Sequence, residues 1–279
     1  MTEVAQDPGE LSERLLARMR MLDGVVVAFS GGVDSALVLA AALRALPADR
    51  VRAAIADSPS LARTELALAR EVAGELGVEL IEIGTDELDV PGYRSNAGDR
   101  CYFCKHTVLT AVSAVAARQG IHHVATGTHA DDHRAAHRPG LRAAQELKVI
   151  EPLAEAGLGK QEIRLLARSW SLRVADKPAM PCLASRIAVG VPVSLTRLNL
   201  VERAEAALRE QLTGAGLTPR DLRVRLLGQG FRVELDQAAH DALMTRPALV
   251  DQVLVRLQEL IRTGPGQLST YRAPATSGP

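Results

Sequence analysis

The chain has 279 residues, 47% of them hydrophobic and 24% charged, a globular composition long enough for one sizeable domain and a smaller second one. Its 33 basic and 33 acidic residues cancel, and the aromatic side chains are three Phe, three Tyr and one Trp. Neither bulk attraction to a polyanion nor a base-stacking surface follows, which counts against a dedicated nucleic-acid binder.

Read in chain order, residues 11–22 have the apolar spacing of an amphipathic helix, closed by Gly24. Residues 25–29 form a continuous apolar run, as a buried parallel strand should, and Ser30-Gly31-Gly32 turns the chain into a helix over 34–46, stopped by Pro47. A strand at 51–56, a helix at 62–76 with Gly77 behind it, and a strand at 78–83 follow. A helix is expected over 106–119 and a strand over 121–126. The alternation predicts an α/β fold, a mostly parallel sheet with helices on both faces. Residues 176–192 carry three prolines and no periodicity, and read as a long loop. Beyond it, a helix over 195–212, a hairpin of strands 222–227 and 231–235, and helices over 238–244 and 249–261 make a small C-terminal α/β domain. The division expected is therefore 1–180 and 181–279. No apolar run is long enough to span a bilayer, and the first ten residues lack the basic and apolar regions of a signal peptide, so a cytoplasmic location is expected.

The strongest local signal is Ser30-Gly31-Gly32-Val33-Asp34-Ser35, set between a strand and a helix. Glycines there let backbone amides turn outward onto the positive end of the helix dipole, forming an anion cradle. The serine hydroxyls can donate to phosphate, and Asp34 suits a Mg2+ ion bridging phosphates. The loop is neither a Walker A nor a dinucleotide-binding motif. Asp57-Ser58 and Gly127-Thr128 end the second and fourth strands, where ligands of open α/β sheets gather, although turn chemistry alone would explain them equally well.

Cys101 and Cys104 form a C-x-x-C pair and Cys182 follows a Pro-rich stretch. An odd number of cysteines argues against a disulfide framework. A zinc half-site with His106, a redox pair, inert buried thiols, or a 4Fe-4S cluster with one open iron able to carry sulfide all remain open on spacing alone.

Several further motifs carry a resemblance. SGGVDS at 30–35 resembles the pyrophosphate loop of the PP-loop ATP pyrophosphatases. DSPSL at 57–61, DRCYFCK at 99–105, Gly127-Thr128 with Ala130-Asp131-Asp132, RPG at 138–140 with Glu146, PLAEAGL at 152–158, KQEIR at 160–164, DKPA at 176–179 and CLASRI at 182–187 together resemble the LarE family. The resemblance runs over 25–210, about two thirds of the chain. It implies a PP-loop domain in which ATP and Mg2+ adenylylate a carboxylate of pyridinium-3,5-biscarboxylic acid mononucleotide, releasing pyrophosphate. A sulfur nucleophile then displaces AMP, for nickel-pincer nucleotide synthesis. Some members sacrifice the sulfur of the cysteine matching Cys182; others have three cysteines that hold a 4Fe-4S cluster, and this chain, with all three, looks like the second kind. The resemblance also implies a sulfide or other sulfur donor and a homo-oligomer such as a hexamer. Ser185, Arg186, Glu202, Arg225 and Arg272 are the expected partners of substrate phosphate or carboxylate. His129, Ala136, Ala175, Ala188-Val189 and Leu227 depart from the family pattern and bear on the substrate more than on the ATP chemistry. A PP-loop tRNA thiolase, an amidotransferase-like PP-loop enzyme and a zinc-containing nucleotide binder are the competing readings.

Overall fold

A computed structural model describes residues 7–134 and 139–271. The chain separates into two compact units, and the division is not a single cut in sequence. Among the described residues the first runs to Glu87 and resumes as Cys101–Ala179; the second comprises Leu88–Arg100 and residues 180–271.

The first unit begins with α1 (Pro8–Met19), capped by the Asp7 carboxylate on Gly9 N–H. It continues through β1 (Val25–Ala28), α2 (Val33–Ala45), β2 (Val51–Asp57), α3 (Arg63–Glu75) and β3 (Leu80–Gly84). The short α4 (Pro91–Ser95) belongs to the second unit, and α5 (Arg100–Arg118) leads back into the first. Then come β4 (Val124–Ala125), α6 (Ala130–Arg134), α7 (Pro139–Glu146), α8 (Pro152–Glu155) and α9 (Lys160–Ser169). Among the described residues four strands form a parallel sheet in the order β3-β2-β1-β4. Both faces are covered because successive side chains alternate. Val25, Val27, Ala53 and Ile55 join the core made with α1, α2, α3 and α9, whereas Val26 and Ala54 meet Leu109, Val112 and Ala116 of α5 and Ala144 of α7. The order reverses between β1 and β4, so the crevice at their C-terminal ends is the expected ligand position of a doubly wound sheet.

In the second unit α10 (Leu195–Gly214), capped by the Ser194 hydroxyl on Arg197 N–H, precedes β5 (Leu222–Leu226) and β6 (Phe231–Leu235). These pair antiparallel, as the hairpin signal predicted. Helices α11 (Gln237–Met244) and α12 (Pro247–Ile261) follow, then β7 (Gly266–Thr270), which pairs parallel to β6. Leu198, Val201, Leu208, Val224, Phe231, Val233 and Leu257 are buried there.

Two expectations need correction. The helix expected to begin at residue 106 begins at Arg100, so Cys101 and Cys104 lie on its first turn rather than before it. Its early residues are exposed or half-buried, and burial at helical spacing starts only with Leu109, which is why the apolar pattern starts late. Strand β7 was not anticipated: its sequence is polar and no residue of it is fully buried, as suits an edge strand. No helix among the described residues is long and apolar enough to cross a membrane.

Candidate functional site

The Ser30–Ser35 turn leaves β1 and enters α2 at the sheet's reversal point. Gly31 has φ +68°, and a Cβ there would lie 2.9 Å from Ala69 Cα on α3, so both conformation and contact require glycine. Gly127, at the end of β4, abuts the same turn: a Cβ on it would lie 2.8 Å from Ser35 N and 3.0 Å from Asp34 Cβ. The two glycines thus let the end of β4 and the middle of α3 close on the loop. Ser35 is buried; its hydroxyl accepts Ser30 N–H at 3.1 Å, donates to Gly32 O at 3.2 Å and lies 3.1 Å from the Ser30 hydroxyl. Val33 is buried at the first turn of α2. Gly31→Ala should destabilise the protein by about 1–3 kcal/mol, read from urea denaturation, because it adds both a positive-φ strain and a backbone clash.

Asp34 lies in the first turn of α2 and is not isolated. Lys160 Nζ, at the start of α9, donates to both of its carboxylate oxygens, at 2.6 and 2.7 Å. Asp131 accepts Lys160 N–H at 2.7 Å, and the Glu162 carboxylate accepts Gly159 N–H at 2.9 Å, which fixes the start of α9. Lys105 Nζ donates to the Thr128 hydroxyl at 3.2 Å, and Thr128, buried, lies 3.0 Å from the Thr126 hydroxyl. Two ammonium groups therefore sit at the C-terminal sheet edge beside the glycine loop. Sequence reading singled out neither lysine, although each lies inside a quoted motif, DRCYFCK and KQEIR. Asp57 is engaged by Arg63 at 2.6 Å, and buried Ser58 pairs with Ser60 at 3.0 Å, so these two take part in the turn after β2. His129 follows Thr128, its Nε2 lying 3.5 Å from Asp132 and its Nδ1 buried without a hydrogen-bond partner.

Cys101, Cys104 and Cys182 are all thiols, the first and last exposed. Cys101 and Cys104, three residues apart on α5, share a helix face. The Cys104 thiol lies 3.9 Å from Glu87, a carboxyl pushed up from its ordinary value by burial and held by the Thr85 hydroxyl at 3.1 Å. Three thiols are the right donor chemistry for a 4Fe-4S cluster. Among the described residues, however, no group of three or more His, Cys, Asp or Glu side chains is arranged to hold a metal ion.

In the second unit Cys182 precedes a short 3-10 turn, Leu183–Arg186. Arg186 is 1% exposed, and its guanidinium pairs with Glu205 on α10 at 2.9 Å. Its other donors go to the carbonyls of Pro181 and Cys182 and to the Ser185 hydroxyl. A side chain expected to meet substrate is thus surrounded by protein acceptors. Arg225 bonds Glu234 at 2.7 Å and the Ser185 carbonyl at 2.9 Å; Glu202 is half-buried on α10. Arg272, Arg138 and Ala136 lie outside the described residues. Of the other departures, Ala175 is buried, Leu227 half-buried and Val189 70% exposed.

A glycine loop between β1 and α2, at the reversal point of a parallel sheet, defines a nucleotide-binding α/β protein of the PP-loop class. A family profile described as NAD synthase matches residues 13–96, the part that carries this loop. The pyridinium-3,5-bisthiocarboxylic acid mononucleotide synthase of Lactiplantibacillus plantarum is 33% identical over 80% of the chain and 79% of its own length. A Synechocystis protein described as uncharacterized is 39% identical over 67% of the chain and 69% of its own. An uncharacterized Methanocaldococcus jannaschii protein is 27% identical over 68% and 71%. The chain belongs to the LarE family of PP-loop sulfurtransferases, and it is an enzyme of that class.

Proposed function

We propose that the protein uses ATP to activate a carboxylate of pyridinium-3,5-biscarboxylic acid mononucleotide and replaces the activated oxygen with sulfur. The observation that carries this reading is the identity to the Lactiplantibacillus synthase across 80% of the chain. The arrangement around Asp34 supports it. In the first step a substrate carboxylate oxygen attacks the α-phosphorus of ATP, the bond to the β-phosphate bridge breaks, and pyrophosphate leaves as an acyl adenylate forms. Charge accumulates on the pyrophosphate, and the loop amides, the end of α2 and the Lys160 and Lys105 ammonium groups are the donors for it. Asp34, paired here with Lys160, would be the carboxylate that holds Mg2+, and the ion would supply charge neutralisation to the leaving pyrophosphate.

In the second step sulfur attacks the acyl carbon and the bond to AMP breaks. With sulfide the thiocarboxylate forms directly. With the Cys182 thiolate a thioester forms, and loss of the Cys182 α-proton with cleavage of its Cβ–S bond then frees the thiocarboxylate and leaves dehydroalanine. Cys182 and the pair Cys101 and Cys104 are the sulfur-handling thiols in this reading. The test is incubation with ATP, Mg2+ and the dicarboxylate mononucleotide, following pyrophosphate and the sulfur-containing product together. Pyrophosphate release that depends on this substrate, with a thiocarboxylate formed, is the expected result. Release that responds only to tRNA would assign the protein to the tRNA thiolases, and release with ammonia incorporation to the amidotransferase-like enzymes.

A further inference from the structure

Arg186 is among the largest fully buried side chains of the protein, and burying a guanidinium is costly unless each donor finds an acceptor. Here the acceptors identify the purpose. Glu205 takes Nε at 2.9 Å and accepts Val224 N–H of β5 at 3.1 Å, so the carboxylate is tied to the sheet of the second unit. The opposite edge of the guanidinium spans the carbonyls of Pro181 and Cys182, the peptide units on either side of the Cys182 α-carbon. The Ser185 hydroxyl donates back to the Cys182 carbonyl at 2.7 Å. Neighbouring carbonyls are gathered in the same way. Arg100 takes that of Ala184 at 2.6 Å, Arg225 that of Ser185 at 2.9 Å, and Asn96, 1% exposed, those of Ala188 and Val191 at 2.8 and 2.9 Å. A segment with almost no regular hydrogen bonding is therefore held by side chains, while the thiol it carries stays exposed.

We propose that Arg186, anchored by Glu205, is a positioning residue that clamps the backbone on both sides of Cys182, fixing where its sulfur points, rather than a ligand of the substrate. The inference rests on the thiolation reading for its consequence in catalysis, and on geometry alone for the clamp. Lysine cannot replace arginine here, because one ammonium cannot reach a carboxylate on one side and two carbonyls on the other. Removing the arginine alone would strand the Glu205 charge and threaten the fold, so the decisive variant is R186M/E205Q. It is neutral and similar in volume, and the glutamine oxygen still accepts Val224 N–H.

The experiment combines hydrogen exchange on the full chain with single-turnover kinetics, for R186K and R186M/E205Q. The amides of Ser185, Ile187 and Ala188, which donate to the carbonyls of Cys182, Ala184 and Leu226, should exchange about tenfold faster or more in both variants. Pyrophosphate release in the first turnover and the KM values for ATP and the mononucleotide should stay within about twofold, while sulfur transfer slows about tenfold or more, since a displaced nucleophile loses its orientation. Unchanged exchange, or faster exchange with unchanged transfer, overturns the proposal. A raised KM for the mononucleotide with transfer intact also overturns it, placing Arg186 on the substrate. If the parent protein shows no substrate-dependent pyrophosphate release, the thiolation reading has failed on its own, and the exchange measurement still decides whether the clamp exists.

Discussion

Replacing Asp34 with Asn should slow substrate-dependent pyrophosphate release about a hundredfold or more, the scale on which loss of one preorganised electrostatic group acts at a site of developing charge. The substitution keeps size and shape, and the asparagine oxygen can still accept from Lys160, so the loop geometry around Ser35 and Gly127 is undisturbed. What is lost is the charge that a Mg2+ ion requires. The half-saturating Mg2+ concentration should therefore rise along with the fall in rate, while the thermal midpoint changes little. Lys160→Met separates the two roles of this ion pair. It should also slow the first step, but with the Mg2+ requirement unchanged or lowered, because a Mg2+ ion at Asp34 would then have no ammonium group to displace. An Asp34→Asn variant with wild-type rate and Mg2+ dependence would reduce Asp34 to a structural partner of Lys160.

The difference between Asp34 and Lys160 also shows what a sequence can carry. The loop is legible because its constraints are local: a strand run, two glycines and a helix start within a few residues. Gly31 must be glycine for a reason visible in its own φ, and the helix dipole needs no distant partner. Lys160 is 126 residues from Asp34, and only the way α9 and α2 pack in the first unit brings them together. The parallel sheet was equally legible from β1 to β3, where a continuous apolar run at β1 and largely apolar runs at β2 and β3 alternate with helical segments. β4 shrank to Val124–Ala125, paired to β1 with a single bridge to Ile150, because a short strand at the sheet's end has little ladder to extend it. Arg186 illustrates the opposite limit. A guanidinium in a loop after a functional cysteine has the same letter whether it faces a phosphate or a buried glutamate. Its partner Glu205 sits on α10, in a stretch whose sequence reads only as a helix.

Serine at Cys182 should abolish formation of the thiolated product while leaving the first pyrophosphate release intact. It is the largest effect expected of any single side chain, because a hydroxyl has neither the thiolate character nor the sulfur to give. The Pro181 and Cys182 carbonyls are held by Arg186 irrespective of the side chain at 182, so the serine variant should fold and clamp as the parent does. Serine at Cys101 then distinguishes the two ways of supplying sulfur. If Cys101, Cys104 and Cys182 bind a 4Fe-4S cluster, anaerobically purified protein should contain iron and acid-labile sulfide and turn over repeatedly with added sulfide, and Cys101→Ser should lose all three properties. If the Cys182 sulfur itself is consumed, one turnover ends the reaction, residue 182 becomes lighter by about 34 Da as its sulfur leaves, and Cys101→Ser is tolerated. The first outcome is the one we propose, on the presence of all three cysteines, with Cys101 and Cys104 together at the start of α5. The described residues show no group arranged to hold a metal ion, so the iron and sulfide analysis decides it. Iron-free protein together with an active Cys101→Ser variant and a mass loss at 182 would reverse that preference and leave Cys182 as the donor.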